Sequence, residues 1–363
     1  MKRLLALGRI DLDQTPRLAT SLCAAAAIPF ARTGAFAPFV EFLNTVGAPT
    51  ERLLHQARIP AGLLNDPEGL VPLFPIYRFI ELSARQERLE DLGTVVGQRA
   101  SAFDLGAYGV VLQRTSTVYE YLQVGIRLIG TLSSGTRFWM NTEGDVFRVN
   151  QYLKGPASLG RCVADVYTLV LTINMLRRFV GPDWGPAEVS ILVGDEAVLG
   201  DREVFGDALL ITGQRHSSFT IARSLMNLPI PRRGAGLARS KDTWSGVGRP
   251  MPSDFATSSE QLVVSLLVDG YPSIHAAAET AGMSSRTLQR RLAELGITYS
   301  GLVSSARSRQ AMELLTNTEM PIVDIAAELG YTDASNFGRA FRRQTGVSPL
   351  VFRCSRALDQ VRL

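Results

Sequence analysis

The feature that most constrains the fold of this chain is a repeat near its end. Residues 273–296, SIHAAAETAGMSSRTLQRRLAELG, align with residues 321–346, PIVDIAAELGYTDASNFGRAFRRQTG. Each copy predicts a short helix with a small alanine, a glycine turn and a second helix capped by serine or aspartate. The alanine lets two helices cross closely, and the glycine takes the left-handed conformation between them. We therefore expect two helix-turn-helix units that present their second helices outward.

The second helix of the first unit carries two contrasting faces. Ser284 is the expected cap, and Leu288, Leu292 and Leu295 form an apolar stripe. The opposite side has two arginines and a glutamine at positions i, i+3 and i+4. The guanidinium groups of arginine can pair with guanine edges, and the amide of glutamine can pair with adenine edges. A solvated surface face is the alternative, but the duplication favours base readout. The expected readout residues are Arg286, Gln289 and Arg290.

The second helix of the second unit has the same organisation. Asp333 is the expected cap, and Phe337 with Phe341 form the buried stripe rather than a platform for stacked bases. We expect the base edges to be contacted by Ser335, Asn336 and Arg339, and the phosphates by Arg342 and Arg343.

A helix over residues 299–317 is predicted between the units, and Pro321 stops it. It would fix the two second helices about one DNA turn apart, roughly 34 Å, in successive major grooves. Arginines concentrate where these elements fall: five stand against a single glutamate in residues 283–311. We therefore add Arg291 and Arg307 to the expected phosphate contacts.

The rest of the chain predicts a second domain. A length of 363 residues favours two domains. Residues 36–230 mix helical and alternating periods, which indicates an α+β domain, and residues 260–363 are helical throughout. Residues 231–259 are rich in glycine, proline and serine and predict a linker. Residues 1–35 precede this domain as an N-terminal lead, for which we expect either a first helix or a disordered start.

Composition excludes several classes of function. The three cysteines lie far apart, which fits neither a disulfide framework nor a metal cluster and favours a cytoplasmic location. The apolar stretch 18–31 follows Asp11 and Asp13 where a signal peptide would be basic, and no apolar run is long enough for a membrane helix. The three histidines are scattered, and no phosphate loop or nucleophile motif is present. We therefore expect no enzyme, no metal and no cofactor.

The tail resembles the DNA-binding domain of the AraC/XylS family of bacterial transcription regulators. The linker helix matches the family pattern at Arg307, Ala311, Leu314 and Leu315. The signature of the second unit is present as Gly330, Tyr331, Phe337, Arg339, Phe341, Arg342, Arg343, Gly346, Ser348 and Pro349. The resemblance implies a one-component regulator that binds double-stranded promoter DNA and meets RNA polymerase, with activation the commoner outcome.

The front domain resembles that of one AraC subgroup, labelled arabinose-binding-like and similar to the ornithine-responsive and virulence-associated regulators. Residues 103–123 and 200–231 carry this resemblance. It implies that the domain binds an unknown small-molecule effector or pairs two copies of the chain. Candidate pocket aromatics are Phe138, Trp139, Tyr152 and Tyr167, with ordinary core packing as the alternative. A regulator without a ligand, controlled by a protein partner or by abundance, stays open.

Overall fold

The computed structural model describes residues 27–192, 198–231, 250–267 and 270–361, without the side chains of 356–361. It comprises an N-terminal α+β domain and a helical C-terminal region. The first 26 residues of the expected lead and residues 232–249 of the expected linker lie outside the described part.

The helices of the N-terminal domain surround one long central helix. Their bounds are α1 Ala37–Thr45, α2 Thr50–Gln56, α3 Leu73–Gln86, α4 Leu92–Arg99, α5 Gly106–Leu112, α6 Val118–Leu132 and α7 Leu159–Val180. Of the described helices, only α7 is long and apolar enough to cross a membrane. Because 67% of its apolar stretch is buried inside the protein, it serves as the core helix of this domain.

The strands form two sheets. β1 Phe30–Arg32 pairs antiparallel with β2 Leu70–Pro72. The larger sheet has the order β3-β4-β7-β5-β6, with bounds β3 Thr136–Glu143, β4 Val146–Leu153, β5 Glu188–Ser190, β6 Leu209–Ile211 and β7 Ser217–Ala222. Its pairs are antiparallel except β5 with β6. The residues of β4 that alternate inward, Val149, Gln151 and Leu153, are buried.

The C-terminal region consists of helices with a core of their own. The bounds are α8 Phe255–Leu266, α9 Ile274–Thr280, α10 Ser285–Glu294, α11 Tyr299–Asn317, α12 Ile322–Glu328, α13 Ala334–Thr345 and α14 Pro349–Val361. The long helix α11 packs against α8, α12, α13 and α14. It buries Leu302, Val303, Ala306, Ala311 and Leu315.

The two parts meet at the β1–β2 pair and at helix α9. Ile28, Phe30 and Leu70 belong to the apolar core of the C-terminal region, although they precede it by more than 180 residues. The backbone N–H of Ile28 also donates to Ser258 Oγ at 3.0 Å. At the surface, Glu279 of α9 forms ion pairs of 3.0 and 2.9 Å with arginines of the N-terminal domain, Arg58 and Arg78.

Several sequence expectations need correction against these elements. Phe30–Arg32 is a strand, where the sequence predicted a helical or disordered lead. The linker expected to extend to residue 259 ends earlier, because α8 begins at Phe255 with Asp254 as its cap. The α+β character expected for residues 36–230 is confirmed, because this part of the chain contains both helices and strands.

Candidate nucleic-acid interface

Helices α9 and α10 form a tightly joined pair. Ser273 caps α9 through a hydrogen bond from Ala276 N–H, and Ser284 caps α10 by accepting from Thr287 N–H at 3.2 Å. Gly282 lies between them at φ +67°, a conformation that favours glycine. Local hydrogen bonding therefore fixes the angle at which α10 leaves the domain.

The apolar side of α10 is narrower than the sequence predicted. Leu288 and Leu292 are each 1% exposed and hold the helix on the core. Leu295 is 50% exposed, because α10 ends at Glu294 and Leu295 is its C-terminal cap residue. Its assignment to the buried stripe was wrong.

The opposite face of α10 is exposed and cationic. Arg286, Gln289 and Arg290 all lie on the surface, as the helical spacing predicts. Arg290 Nη1 lies 2.6 Å from Glu294 Oε1, and both side chains are about half exposed. Such an exposed pair is weak. The guanidinium can therefore leave Glu294 for a stronger acceptor at little cost.

Helices α12 and α13 form a second pair with the same features. Gly330 adopts φ +69° in the turn, and Gly346 ends α13 in the left-handed conformation at φ +81°. Asp333 caps α13 by accepting from the backbone N–H of Asn336 at 2.7 Å. This bond holds the pKa of the Asp333 carboxyl below its usual value.

The two phenylalanines of α13 are core residues. Phe337 and Phe341 are each 1% exposed, and their ring centroids lie 5.7 Å apart. Tyr331 packs on the first ring at 5.4 Å and Phe352 on the second at 5.5 Å. Edge and tilted contacts of this kind anchor α13, as expected.

The outward side of α13 carries a connected polar network. Arg339 Nη2 donates to Asn336 Oδ1 at 2.7 Å, and Asn336 Nδ2 donates to Asp333 Oδ2 at 2.6 Å and to Thr332 Oγ1 at 3.0 Å. Ser335 and Arg339 are exposed beside this network. The amide and the guanidinium are thus oriented together on the surface.

Arg307 lies in a different environment from the one we expected. Its Nη2 donates to the carbonyl oxygen of Gly330 at 2.8 Å, and its guanidinium lies 4.5 Å from the Tyr331 ring centroid and 5.0 Å from that of Tyr271. The side chain is half-buried and ties α11 to the turn of the second pair. We therefore remove Arg307 from the phosphate contacts.

Arg291 also differs from its exposed neighbours. Its guanidinium stacks 5.3 Å above the Phe255 ring of α8, which places it toward the interior. We reassign Arg291 to packing. Arg342 and Arg343, by contrast, are exposed in the last turn of α13, where positive charge also favours the helix dipole.

The N-terminal domain contains a partly open cavity of about 110 Å³. Phe138 of β3 and Tyr167 of α7 line it, but Trp139 and Tyr152 do not. Alternation along β3 and β4 places these two side chains on the other face, where Trp139 stacks on His216 and Tyr152 is 40% exposed. We remove Trp139 and Tyr152 from the candidate pocket.

Sequence reasoning missed most of the cavity wall. The residues that line the cavity come from β1, α1, α3, α5, α6, α7 and the larger sheet. Each contributes only one or a few side chains, such as Ala31, Leu73 and Tyr108, in patterns that any buried element would show. The helical and strand periods were the only available signal, and they mark burial without distinguishing a packed core from a cavity.

Comparison with known proteins gives a family match for each of the two parts of the chain. Residues 277–355 match the model of a helix-turn-helix domain, and residues 47–230 match that of the arabinose-binding domain of AraC transcription regulators, N-terminal. The regulator VirS of Mycobacterium tuberculosis is 25% identical over 323 residues, which covers 87% of this chain and 94% of VirS.

Other relatives match over shorter stretches, and one solved structure aligns with most of the chain. The ornithine utilization regulator of Pseudomonas aeruginosa is 42% identical over 83 residues, and VqsM of the same organism is 41% identical over 95. These matches cover 23% and 26% of this chain, and only 24% and 29% of the two regulators. The crystal structure of CdpR from P. aeruginosa aligns with 88% of this chain and 98% of its own at 24% identity, with a TM-score of 0.41.

The arabinose-binding model spans half of the chain, and the helix-turn-helix match accounts for most of the C-terminal region. The chain therefore belongs to the AraC family of DNA-binding transcription regulators, in the group with an arabinose-binding-like N-terminal domain.

Proposed function

We propose that this protein is a cytoplasmic, effector-responsive regulator that binds promoter DNA through two helix-turn-helix units. The observation that carries the proposal is the pairing of α9 with α10 and of α12 with α13, each around a left-handed glycine, with α11 between the pairs. In this proposal α10 and α13 enter successive major grooves about one turn apart, roughly 34 Å.

Two sets of side chains share the contacts with DNA in this proposal. Base edges are read by Arg286, Gln289 and Arg290 on α10, and by Ser335, Asn336 and Arg339 on α13. Arg342 and Arg343 bind phosphates. Arg290 exchanges its contact with Glu294, and Arg339 its contact with Asn336, for base acceptors on binding.

Effector control is supported by the β1–β2 pair, which touches both the cavity and the C-terminal core. Ala31 lines the cavity, whereas its neighbour Phe30 packs in the C-terminal core. Leu70 of β2 likewise belongs to the C-terminal core, and Leu73, which directly follows β2 in the chain, lines the cavity. A ligand that favours one position of this strand pair would shift the C-terminal region between two states. Contact with RNA polymerase and pairing of two copies through the N-terminal domain complete the proposal.

Selection of bound sites from random DNA, followed by footprinting with the full chain, tests the function. Arg290→Ala and Arg339→Ala should each weaken binding by about 1 to 3 kcal/mol and relax the preference at their own base pairs. Arg343→Ala should weaken all sequences alike and lower the salt dependence by about one counterion.

Arg309→Ala is the matched control, because this arginine lies on α11, away from α10 and α13, and pairs with Glu260 of α8. It should leave site preference unchanged. An Arg339→Ala protein with the wild-type footprint and the wild-type sequence preference would show that α13 does not read bases. A footprint that no small molecule changes would favour control by a protein partner or by abundance.

A further inference from the structure

We propose that Asn336 contacts its base only through the oxygen of its amide, and therefore selects a base with a major-groove amino group, adenine or cytosine. This inference rests on the base-reading role proposed above for α13 and specifies which bases that helix accepts. An asparagine whose amide is free on both sides would instead select adenine alone, by pairing with its N6 amino group and its N7 together.

The nitrogen of the Asn336 amide is held by two neighbours. Asn336 Nδ2 donates to Asp333 Oδ2 at 2.6 Å and to Thr332 Oγ1 at 3.0 Å. These two bonds use both hydrogens of the amide nitrogen. The backbone N–H of Asn336 donates to the other oxygen of the same carboxylate and holds the pKa of Asp333 below its usual value. At pH 7.5 the carboxylate is therefore ionised and retains the amide.

The charges on either side fix which way the amide points. The carboxylate of Asp333 can only accept a hydrogen bond, and the guanidinium of Arg339 can only donate one. Arg339 Nη2 lies 2.7 Å from Asn336 Oδ1. A half turn of the amide would place its oxygen against the carboxylate and its nitrogen against the guanidinium, which is unfavourable on both sides. The oxygen therefore faces Arg339.

The amide oxygen needs a new donor when the protein binds DNA. Asn336 is half-buried, and Arg339 is the one donor to its Oδ1 among the described residues. When Arg339 turns to a guanine, this oxygen is left without a partner, which costs free energy. The amino groups of adenine and cytosine can donate to it in the major groove, whereas guanine and thymine present acceptors there and repel it.

The spacing of the two side chains places their bases side by side. Asn336 and Arg339 are three residues apart, which is roughly 4.5 Å along a helix. Successive base pairs are roughly 3.4 Å apart. We therefore expect adenine or cytosine, on one strand, at the base pair next to the guanine that Arg339 contacts.

Gln289 of α10 provides a comparison within the same protein. It is exposed, and within the described residues no hydrogen bond engages its side-chain amide. Both sides of that amide are available, so Gln289 can pair with the N6 and N7 of adenine together. The two second helices should therefore respond differently when adenine loses N7.

Selection of bound sites from random DNA by the full chain at pH 7.5 locates the two base pairs. Arg339→Ala should relax the guanine, and Asn336→Ala should relax the neighbouring preference for adenine or cytosine. The cap of α13 survives Asn336→Ala, because it uses the backbone N–H of this residue. A site in which no base pair responds to Asn336→Ala would overturn the inference.

Base analogues at these positions give the decisive measurement. In duplexes with adenine at the Asn336 position, 7-deazaadenine lacks N7 and should bind the protein as tightly as adenine. Purine lacks the amino group and should bind roughly fivefold more weakly, except with Asn336→Ala. At the Gln289 position both analogues should weaken binding. A loss with 7-deazaadenine at the Asn336 position, or none with purine, would overturn the inference.

Thr332→Val tests how the amide is held. Valine has a similar shape but accepts no hydrogen bond, so it frees one N–H of Asn336 to seek N7. In this variant 7-deazaadenine should bind roughly fivefold more weakly than adenine. Thr345→Val is the control at the far end of α13, where the hydroxyl donates to Phe341 O at 2.9 Å, and it should respond like the wild type. A wild-type response in Thr332→Val would show that Thr332 does not orient the amide.

The same experiments separate this inference from the proposed function. If the wild-type chain selects no specific site, sequence-specific DNA binding fails, and the inference fails with it. If Arg339→Ala changes the selected site but Asn336→Ala does not, base readout by α13 stands and only the role of Asn336 is overturned.

Discussion

At the residue scale, environment decides what each polar side chain does. Arg290, Arg291 and Arg307 have identical guanidinium groups, but only Arg290 lies on an open face. Arg291 covers the ring of Phe255, and Arg307 lies between two tyrosines and a backbone carbonyl. A guanidinium that is half-buried against rings stabilises the fold, because leaving that site would lose both packing and charge-assisted hydrogen bonding.

Asp165 is the buried acid behind the cavity wall, and it should make stability depend on pH. Burial raises the pKa of this carboxyl to about 6, above its unfolded value of about 3.9. The folded state therefore binds more protons between these values. The associated stability is present below about pH 4 and is lost as the pH rises through about 6.

Relative to Asp165→Asn, the wild-type free energy of unfolding should fall by about 2 kcal/mol between pH 4 and pH 7. Urea unfolding at several pH values measures this difference. Asp207→Asn, at the surface, should follow the wild type. An Asp165→Asn protein with the wild-type pH dependence would contradict the assignment.

At the element scale, α11 is the helix that holds the C-terminal region together. It contacts α8, α12, α13 and α14. Caps and turn glycines position each short helix locally, but the relation between the two helix pairs depends on this one long element. The contact of Arg307 with Gly330 joins α11 directly to the turn of the second pair.

Arg307→Gln should therefore lower the free energy of unfolding of the C-terminal region by about 2 kcal/mol, through loss of a charged hydrogen bond and two ring contacts. Arg309→Gln is the comparison on the same helix. It breaks only the partly exposed pair with Glu260, at 3.2 Å, and should cost under about 1 kcal/mol. Chemical denaturation measures both. Equal losses in the two variants would show that the contacts of Arg307 do not stabilise the join between α11 and the turn of the second pair.

At the scale of the whole molecule, the N-terminal domain and the C-terminal region share a core and a surface contact. The β1–β2 pair contributes to both cores. The turn between α9 and α10 lies directly against Phe74, so a Cβ at Gly282 would overlap its ring. The first helix pair is therefore seated against the N-terminal domain, and the second is not seated in this way in the described structure.

Gly282→Ala should disrupt the contact between the turn of the first helix pair and Phe74 of the N-terminal domain. Both Gly282 and Gly296 are left-handed, so alanine at either costs roughly 1 kcal/mol in backbone strain. Only at Gly282 does it also collide with Phe74, whereas no atom lies within 4 Å at Gly296. Hydrogen exchange in α3 and α9 should rise in Gly282→Ala and stay near wild type in Gly296→Ala.

Adding Phe74→Ala to Gly282→Ala should restore slow exchange, because it removes the ring that the new methyl group meets. If both glycine variants exchange alike, the turn does not seat the C-terminal region on the N-terminal domain.

The sequence by itself determined the elements whose signals are local. The caps Ser284 and Asp333, the turn glycines Gly282 and Gly330, and the buried Phe337 with Phe341 follow from hydrogen bonds and periodicities that extend over one or two helical turns. The bounds expected for α11, residues 299–317, agree with Tyr299–Asn317 for the same reason. The duplication of the helix pair could be seen without any coordinates.

The tertiary structure alone decided which side chains are free to act. Arg291 and Arg307 satisfy the same cationic pattern as their exposed neighbours, but rings from α8 and from distant turns cover them. Trp139 and Phe138 are adjacent aromatics, and only the pairing of β3 in its sheet assigns one to the cavity. The short strands β1 and β2 carry too little periodicity to be predicted. Their packing between two cores depends on contacts across more than 180 residues, which no local pattern records.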